Sequence, residues 1–180
     1  MNKTIGYKLF EMNSKGQLFP LFIGKNEETR MNEWLHAEYI PTRGFATRGG
    51  WHVGLVPDAP WLKSYDGTDV GFYKSQRWKH GKRVWCEVEF NSNHNYDEEV
   101  MHLPKKCFVD KCPDDGYYQF KESGDRDWIV SSDIRVIRII DEDERHEILN
   151  KMNYDEVDAY KKYKAISEKK LKALKKQNEC

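Results

Sequence analysis

The alternation of residues 82–90, KRVWCEVEF, constrains the fold more than any other stretch of the sequence. Successive side chains of a β-strand point to opposite faces, so a strand here has two chemically different faces. The apolar face would carry Val84, Cys86, Val88 and Phe90. The polar and aromatic face would carry Arg83, Trp85, Glu87 and Glu89. Because a shift of one residue would expose the whole apolar set, the pattern predicts a strand with one buried face and a fixed register.

Much of the first 140 residues shares this strand character. Apolar or alternating runs bounded by turn residues predict further strands at residues 4–12, 18–23, 51–56, 117–120, 128–132 and 133–141. The turn NSKGQ at 13–17 would join the first two as a hairpin. Residues 64–81 are polar and Gly-bearing and predict a surface loop, and residues 91–116 predict irregular structure.

Two other parts of the chain have a helical period. In residues 27–39, Met31, Trp34 and Leu35 have the spacing of one helix face and predict a short helix. After Asp141 the sequence DEDERHEILNKM begins acidic, which suits a helix N-terminus. A second helix would continue over residues 153–178, with Asn153 as its cap and a thin apolar stripe.

Runs of strands followed by runs of helix are typical of an α+β fold rather than of alternating β/α units. We therefore predict a bent, mostly antiparallel sheet or split β-barrel in residues 1–140. A helical, Lys-rich C-terminal arm would follow in residues 141–180.

The charge of the chain is balanced overall and uneven locally. Thirty basic and thirty acidic residues give a formal net charge of zero, so global charge indicates no nucleic acid or anionic membrane as partner. Residues 158–177, however, carry eight lysines against Asp158 and Glu168. Such a run is usually a solvated helix face. The alternative is a surface that binds nucleic acid or an acidic protein.

Several function classes have no support in the sequence. No apolar run is long enough for a membrane span, and the first residues contain no apolar core of a secretory signal. The four cysteines lack framework spacing, so we expect a cytoplasmic protein with reduced thiols. The spacing of His94, His102, Cys107 and Cys112 matches no standard zinc site, and we expect no metal.

Residues 41–62, PTRGFATRGGWHVGLVPDAPWL, are the strongest candidate for a site, because positioned loops rich in Gly and Pro often carry function. Arg43 and Arg48 flank a glycine-bearing loop and could clamp a phosphate, or could be solvated arginines. His52 could face a ligand and bond a ribose or carbonyl, or could be a core histidine bonded to backbone.

Glu87 and Glu89 lie two residues apart on one strand face, beside Trp85. Paired carboxylates can divide acid and base roles or stabilise a developing cation. The alternative is a set of ion pairs with the neighbouring strand.

The order of these pieces resembles the ADP-ribosyltransferase-like fold, whose enzymes cleave NAD and transfer ADP-ribose. YKLF at 7–10 stands first, and GGWHVG at 49–54 stands where that family has a ring-bearing strand. RVWCEVEF at 83–90 looks like its strand of valines and glutamates, and residues 127–141 look like the end of its domain. A looser resemblance to uncharacterised proteins of bacteria and their phages implies no activity.

The resemblance implies NAD as the cofactor and a set of roles. Arg43 and Arg48 would hold the pyrophosphate, and His52 would bond the ribose. Tyr7 or Trp51 would stack on a ring, with Trp51 or Trp85 at the cleft wall. Glu89 or Asp127, which falls near the family's catalytic glutamate, would stabilise the ribosyl cation. The alternative is a non-catalytic module that binds a nucleotide, nucleic acid or partner protein with the same surface.

Overall fold

The computed structural model describes residues 4–39, 49–62, 82–102, 113–122 and 126–178. The described residues form nine strands: β1 (Ile5–Met12), β2 (Leu18–Pro20), β3 (Trp34–His36), β4 (Trp51–Gly54), β5 (Lys82–Phe90), β6 (His94–Asn95), β7 (Gly116–Glu122), β8 (Arg126–Ser131) and β9 (Asp133–Ile140). The helices within these ranges are α1 (Asp97–His102), α2 (Glu142–Lys151) and α3 (Glu156–Asn178), and a 3₁₀ turn covers Pro60–Leu62.

The strands form one open sheet in the order β3-β9-β5-β1-β4-β8-β7-β6, and β2 pairs with β1 beside this path. In the described residues the strand pairs are antiparallel, apart from the short parallel pair β6–β7. β1 and β2 form the expected hairpin, with Gly16 at a φ of 80° in the turn. The predicted α+β fold with a mostly antiparallel sheet and C-terminal helices is confirmed.

The alternation of β5 determines which side of the sheet is the core. Cys86, Val88 and Phe90 are buried as predicted, and Val84 is half-buried beside them. On the opposite face, Arg83 is half-buried rather than open. The core cluster is completed by apolar side chains of the neighbouring strands and the hairpin: Phe10, Leu18, Val53, Ile129, Ile134 and Val136.

Two glycines allow β4 to lie close to its neighbours. A Cβ on Gly6 would lie 2.3 Å from Val53 Cγ1, so β1 can approach β4 only without a side chain there. Gly50 has a φ of 128°, and a Cβ on it would lie 2.4 Å from Val130 Cγ1. Only glycine adopts such a backbone without strain. These close contacts fix the position at which β4 starts, and therefore the positions of its first two residues, Trp51 and His52.

The helix predicted for residues 27–39 is wrong, because Trp34–His36 forms β3 instead. β3 pairs with the edge of β9, and Asn32 N and Ala37 N donate to carbonyls of that same region at 2.8 and 2.7 Å. The apolar residues Met31, Trp34 and Leu35 are compatible with a short strand as well as with a helix face. The edge of β9 supplies backbone hydrogen bonds that favour the strand.

Two further expectations need correction. Residues 91–116, expected to be irregular, contain β6 and α1. The second C-terminal helix is not capped by Asn153, which has a φ of 52° in the preceding turn. Asp155 takes that role, since its Oδ1 accepts from Val157 N at 2.9 Å and from Asp158 N at 3.0 Å. The surface loop expected at 64–81 lies outside the described residues.

The arm is attached to the sheet domain through Arg145, a buried residue of α2. Its Nε donates to Pro57 O at 2.7 Å, and its guanidinium forms ion pairs with Asp58, Glu142 and Glu156. Tyr154, which follows α2, donates to Asp58 Oδ2 at 3.0 Å. These bonds connect both C-terminal helices to the segment between β4 and the 3₁₀ turn. In the described ranges, no helix has the length and apolar character to cross a membrane.

Removal of residues 158–180 should leave the sheet domain folded, with only a small fall in melting temperature. This truncation keeps Arg145, Tyr154 and Glu156, and therefore every bond of the attachment just described. The lysines that it removes include exposed side chains such as Lys161 and Lys169. Thermal unfolding followed by circular dichroism would check this expectation. Loss of a cooperative transition would show that α3 is part of the folding unit.

Candidate functional site

The largest group of candidate residues lines a cavity of about 520 Å³ beside β1 and β4. Within the described strands, β1 and β4 pair at a single residue pair, Tyr7 with Gly54. The lining includes side chains of both sheet faces, among them Tyr7 and Lys8, which are consecutive in β1. Ligand pockets of small molecules typically have volumes of about 300–1,000 Å³, so this cavity is large enough for a nucleotide.

One face of the sheet supplies an aromatic wall. Tyr7 is paired with Gly54, which is also paired with Trp128, so Tyr7 and Trp128 point to the same side. On β5 the partner of Tyr7 is Glu87, so Trp85, two residues away, points to that same side. His52 is two residues from Gly54 on β4 and also points there. All four side chains line the cavity.

The rings of this wall are held in a defined geometry. The His52 and Trp128 rings lie edge to face, with centroids 5.7 Å apart and an interplanar angle of 80°. Burial raises the pKa of the Tyr7 hydroxyl, and the nearby Glu87 carboxylate raises it further. Tyr7 therefore stays protonated at neutral pH and keeps a hydrogen atom to donate.

The opposite face supplies a lysine and a second indole. Lys8 Nζ donates to His52 O at 2.8 Å and lies 5.4 Å from the ring centroid of Trp51. The ring of Phe10, a core residue, is 5.8 Å from the same nitrogen. Although Lys8 as a whole is half-buried, desolvation of its ammonium lowers its pKa to about 8.

The outer rim of the cavity is apolar and exposed. It is formed by the segment after β2 and by β3 with its flanks: Phe22, Ile23, Trp34 and Tyr39. His36 lies on the same rim, and its Nδ1 is paired with Asp133 Oδ1. Exposed aromatic side chains beside a cavity are typical of a ligand or partner surface.

The structure brings four of the predicted site residues together and separates one from them. Tyr7, Trp51, His52 and Trp85 line the one cavity. Glu89 is not among the described lining residues, and its carboxylate accepts a hydrogen bond from Arg135. Glu87 likewise pairs with Arg138, at 3.0 Å, so both glutamates take part in ion pairs between strands.

Three other predicted site residues fall wholly or in part outside the described residues. Arg43 and Arg48 lie outside the described residues, and so does the side chain of Asp127, whose backbone belongs to β8. The described carboxylates that do line the cavity are Glu27, Glu28, Glu38 and Asp58. Asp58 is already bonded to Arg145 and Tyr154. Among the described residues, no cluster of His, Cys, Asp and Glu could hold a metal ion.

Sequence reasoning missed Lys8, Trp128 and His36. A signal for Lys8 was present, because the alternation of β1 places it on the same face as Gly6 and Phe10, which is the buried face. A lysine at an inward position of a strand is uncommon and marks a candidate site. His36 gave no such signal, since its stretch had a helical spacing.

Comparison of the chain with protein-family models, with curated proteins and with solved structures gave no match. The side chains of the cavity are therefore the basis of the functional proposal.

Proposed function

We propose that this chain binds a nucleotide in the cavity beside β1 and β4, with NAD or a related dinucleotide as the first candidate. The observation that supports this most is the shared lining of Tyr7, Trp51, Trp85 and Trp128 together with His52. A nucleotide needs flat apolar surfaces for its ring and polar donors for its sugar, and these side chains have both properties.

Each part of the ligand has a proposed contact. A base or nicotinamide ring would stack on Trp85 or Tyr7, and His52 would hydrogen-bond the ribose. Arg43 and Arg48 remain the sequence-based candidates for the pyrophosphate. The exposed rim, with Trp34 and Tyr39, would cover the second ring of a dinucleotide.

Transfer of ADP-ribose is the catalytic form of this proposal. It requires a carboxylate beside the ribose, to stabilise the cation that forms as nicotinamide leaves. Asp127 and Glu89 are the candidates from the sequence, and Glu27 and Glu38 are carboxylates of the cavity lining. The ion pair of Glu89 with Arg135 favours the non-catalytic alternative, in which the cavity binds a nucleotide without cleaving it.

Trp85→Ala should weaken binding of NAD and ADP-ribose by roughly tenfold or more, because stacking of a base on an aromatic ring contributes about 1–3 kcal/mol. His52→Ala should also weaken binding, while changing stability little. Isothermal titration calorimetry on the wild type and both variants would measure this. Tyr160→Ala, on α3 and outside the cavity, is the matched control and should bind like the wild type.

Several results would contradict the proposal. Undetectable binding by the wild type at millimolar NAD and ADP-ribose would remove the nucleotide as ligand. Full unfolding of His52→Ala would assign His52 a structural role instead. If NAD binds, release of nicotinamide on incubation, measured by chromatography, separates the transferase from the non-catalytic alternative.

A further inference from the structure

Two buried side-chain donors lie close together at the cavity, and their hydrogen-bonding capacity is only partly used by the described residues. The first is the ammonium of Lys8, which has three N–H donors and uses one of them on His52 O. In the described part of the chain, no carboxylate forms an ion pair with it, and burial alone accounts for its lowered pKa.

The second donor is the indole of Trp51. Its Nε1 is buried and has no hydrogen-bond partner among the described residues. The Lys8 nitrogen lies 5.4 Å from the centroid of this ring, so the two donors are neighbours in one part of the cavity. Both residues belong to the cavity lining.

An arrangement of this kind is costly unless something else completes it. Buried ammonium groups are normally paired with a carboxylate, and a buried N–H without a partner loses its hydrogen bond to water. Cavities that bind ligands are the places where proteins keep such groups, because the ligand supplies the missing acceptor.

We propose that Lys8 Nζ and Trp51 Nε1 form the anion subsite of the cavity and bind a phosphate oxygen of the ligand. This inference deepens the proposed function and rests on it, since the phosphate belongs to the bound nucleotide. It assigns the phosphate contact to the first strand, in addition to the sequence-based candidates Arg43 and Arg48. The Lys8 ammonium itself lies 5.8 Å from the ring centroid of Phe10 and 5.4 Å from that of Trp51, so its position between the two rings is defined.

Titration of adenosine and ADP tests the subsite, because the two ligands share a ring and a ribose and differ in their phosphates. The wild type should bind ADP roughly tenfold or more tightly than adenosine, because the phosphates of ADP accept charge-assisted hydrogen bonds from the subsite. Lys8→Met should reduce this preference severalfold and keep its affinity for adenosine. The matched control Lys161→Met, an exposed lysine of α3, should keep the preference.

Equal affinity of the wild type for both ligands would overturn the subsite while leaving nucleotide binding intact. An undiminished preference in Lys8→Met would overturn it as well, and would assign Lys8 to the support of the Trp51 and Phe10 rings.

A second measurement needs no nucleotide. Acetylation of the full chain by limiting acetic anhydride, followed by mass spectrometry of its peptides, measures the reactivity of each lysine. Millimolar inorganic pyrophosphate should slow acetylation of Lys8 severalfold and leave Lys161 unchanged. Protection of Lys8 without nucleotide binding would keep the anion subsite and remove the nucleotide. Absence of protection would overturn the subsite whatever the nucleotides do.

Discussion

Lys8→Met should make the protein more stable at pH 7, by roughly 2 kcal/mol, although it removes a side chain that we assign to ligand binding. Burial lowers the pKa of Lys8 from 10.5 to about 8, which corresponds to roughly 3 kcal/mol of destabilisation while the lysine is charged. Methionine fills similar space without a charge and therefore removes this destabilisation. Loss of the hydrogen bond to His52 O offsets about 1 kcal/mol of the resulting stabilisation. A binding residue that costs stability is expected where function requires an unpaired charge.

The lowered pKa of Lys8 also determines how the free energy of unfolding changes with pH. Below pH 8, Lys8 is protonated in the folded and the unfolded chain, so the destabilisation is fully present. Between pH 8 and 10.5 the unfolded lysine keeps a proton that the folded one has released, and the free energy of unfolding rises with pH. Cys86 acts in the opposite direction above pH 9, because burial raises its pKa from 9.0 to about 12.

Urea unfolding of the wild type and of Lys8→Met at pH 7, 8 and 9 would measure this difference. The advantage of the variant should shrink as pH rises through 8 and 9, because Lys8 loses its charge in the folded wild type. The variant keeps the other ionisable side chains of the cavity wall: Tyr7, Glu27, Glu28, His36, Glu38, Tyr39, His52 and Asp58. A less stable variant at pH 7, or an advantage independent of pH, would contradict a desolvated ammonium. Lys161→Met, at an exposed position, should change nothing.

The parts of the fold that could be predicted from the sequence are those determined by local alternation. β5 was predicted together with its register, because each of its faces needs a different environment. The same alternation placed Glu87 and Glu89 on one face, where they pair with arginines of β9. β3 was missed because its state depends on the free edge of β9, which is distant in sequence. Local spacing cannot show such an edge.

The candidate site also contains residues that the local sequence indicates and residues that only the tertiary structure brings together. Glycine-rich composition was enough to select the stretch that holds Trp51 and His52, since Gly50 is required where β4 begins. Lys8 comes from a distant strand and joins them only through sheet pairing. Arg145 is the extreme case, because its partners Pro57 and Asp58 are 88 and 87 residues away in sequence. In the sequence, an arginine near the acidic start of a helix cannot be distinguished from a solvent-exposed arginine, because its distant partners are not known.

Arg145→Met should be the most destabilising of the substitutions considered, by about 3–5 kcal/mol, because removal of one member of a buried ion pair leaves the other charge uncompensated. The side chain of Asp58 is 0% exposed, and Pro57 O would lose its donor. Tyr154 would remain as a partner of Asp58, but a hydroxyl cannot neutralise a carboxylate. Because Asp58 also lines the cavity, the variant should bind NAD more weakly in addition.

Arg138→Met is the matched control for this experiment. Arg138 also pairs with two carboxylates, Glu87 and Glu144, but its side chain is 42% exposed, so its loss should cost about 1 kcal/mol or less. Urea unfolding gives the two free energies, and calorimetry with NAD gives the two affinities. Addition of Asp58→Asn to Arg145→Met removes the orphaned charge and should restore part of the stability. Equal losses in the two single variants, or no recovery in the double variant, would show that Arg145 does not act through Asp58, and that the arm stabilises the cavity wall by packing alone.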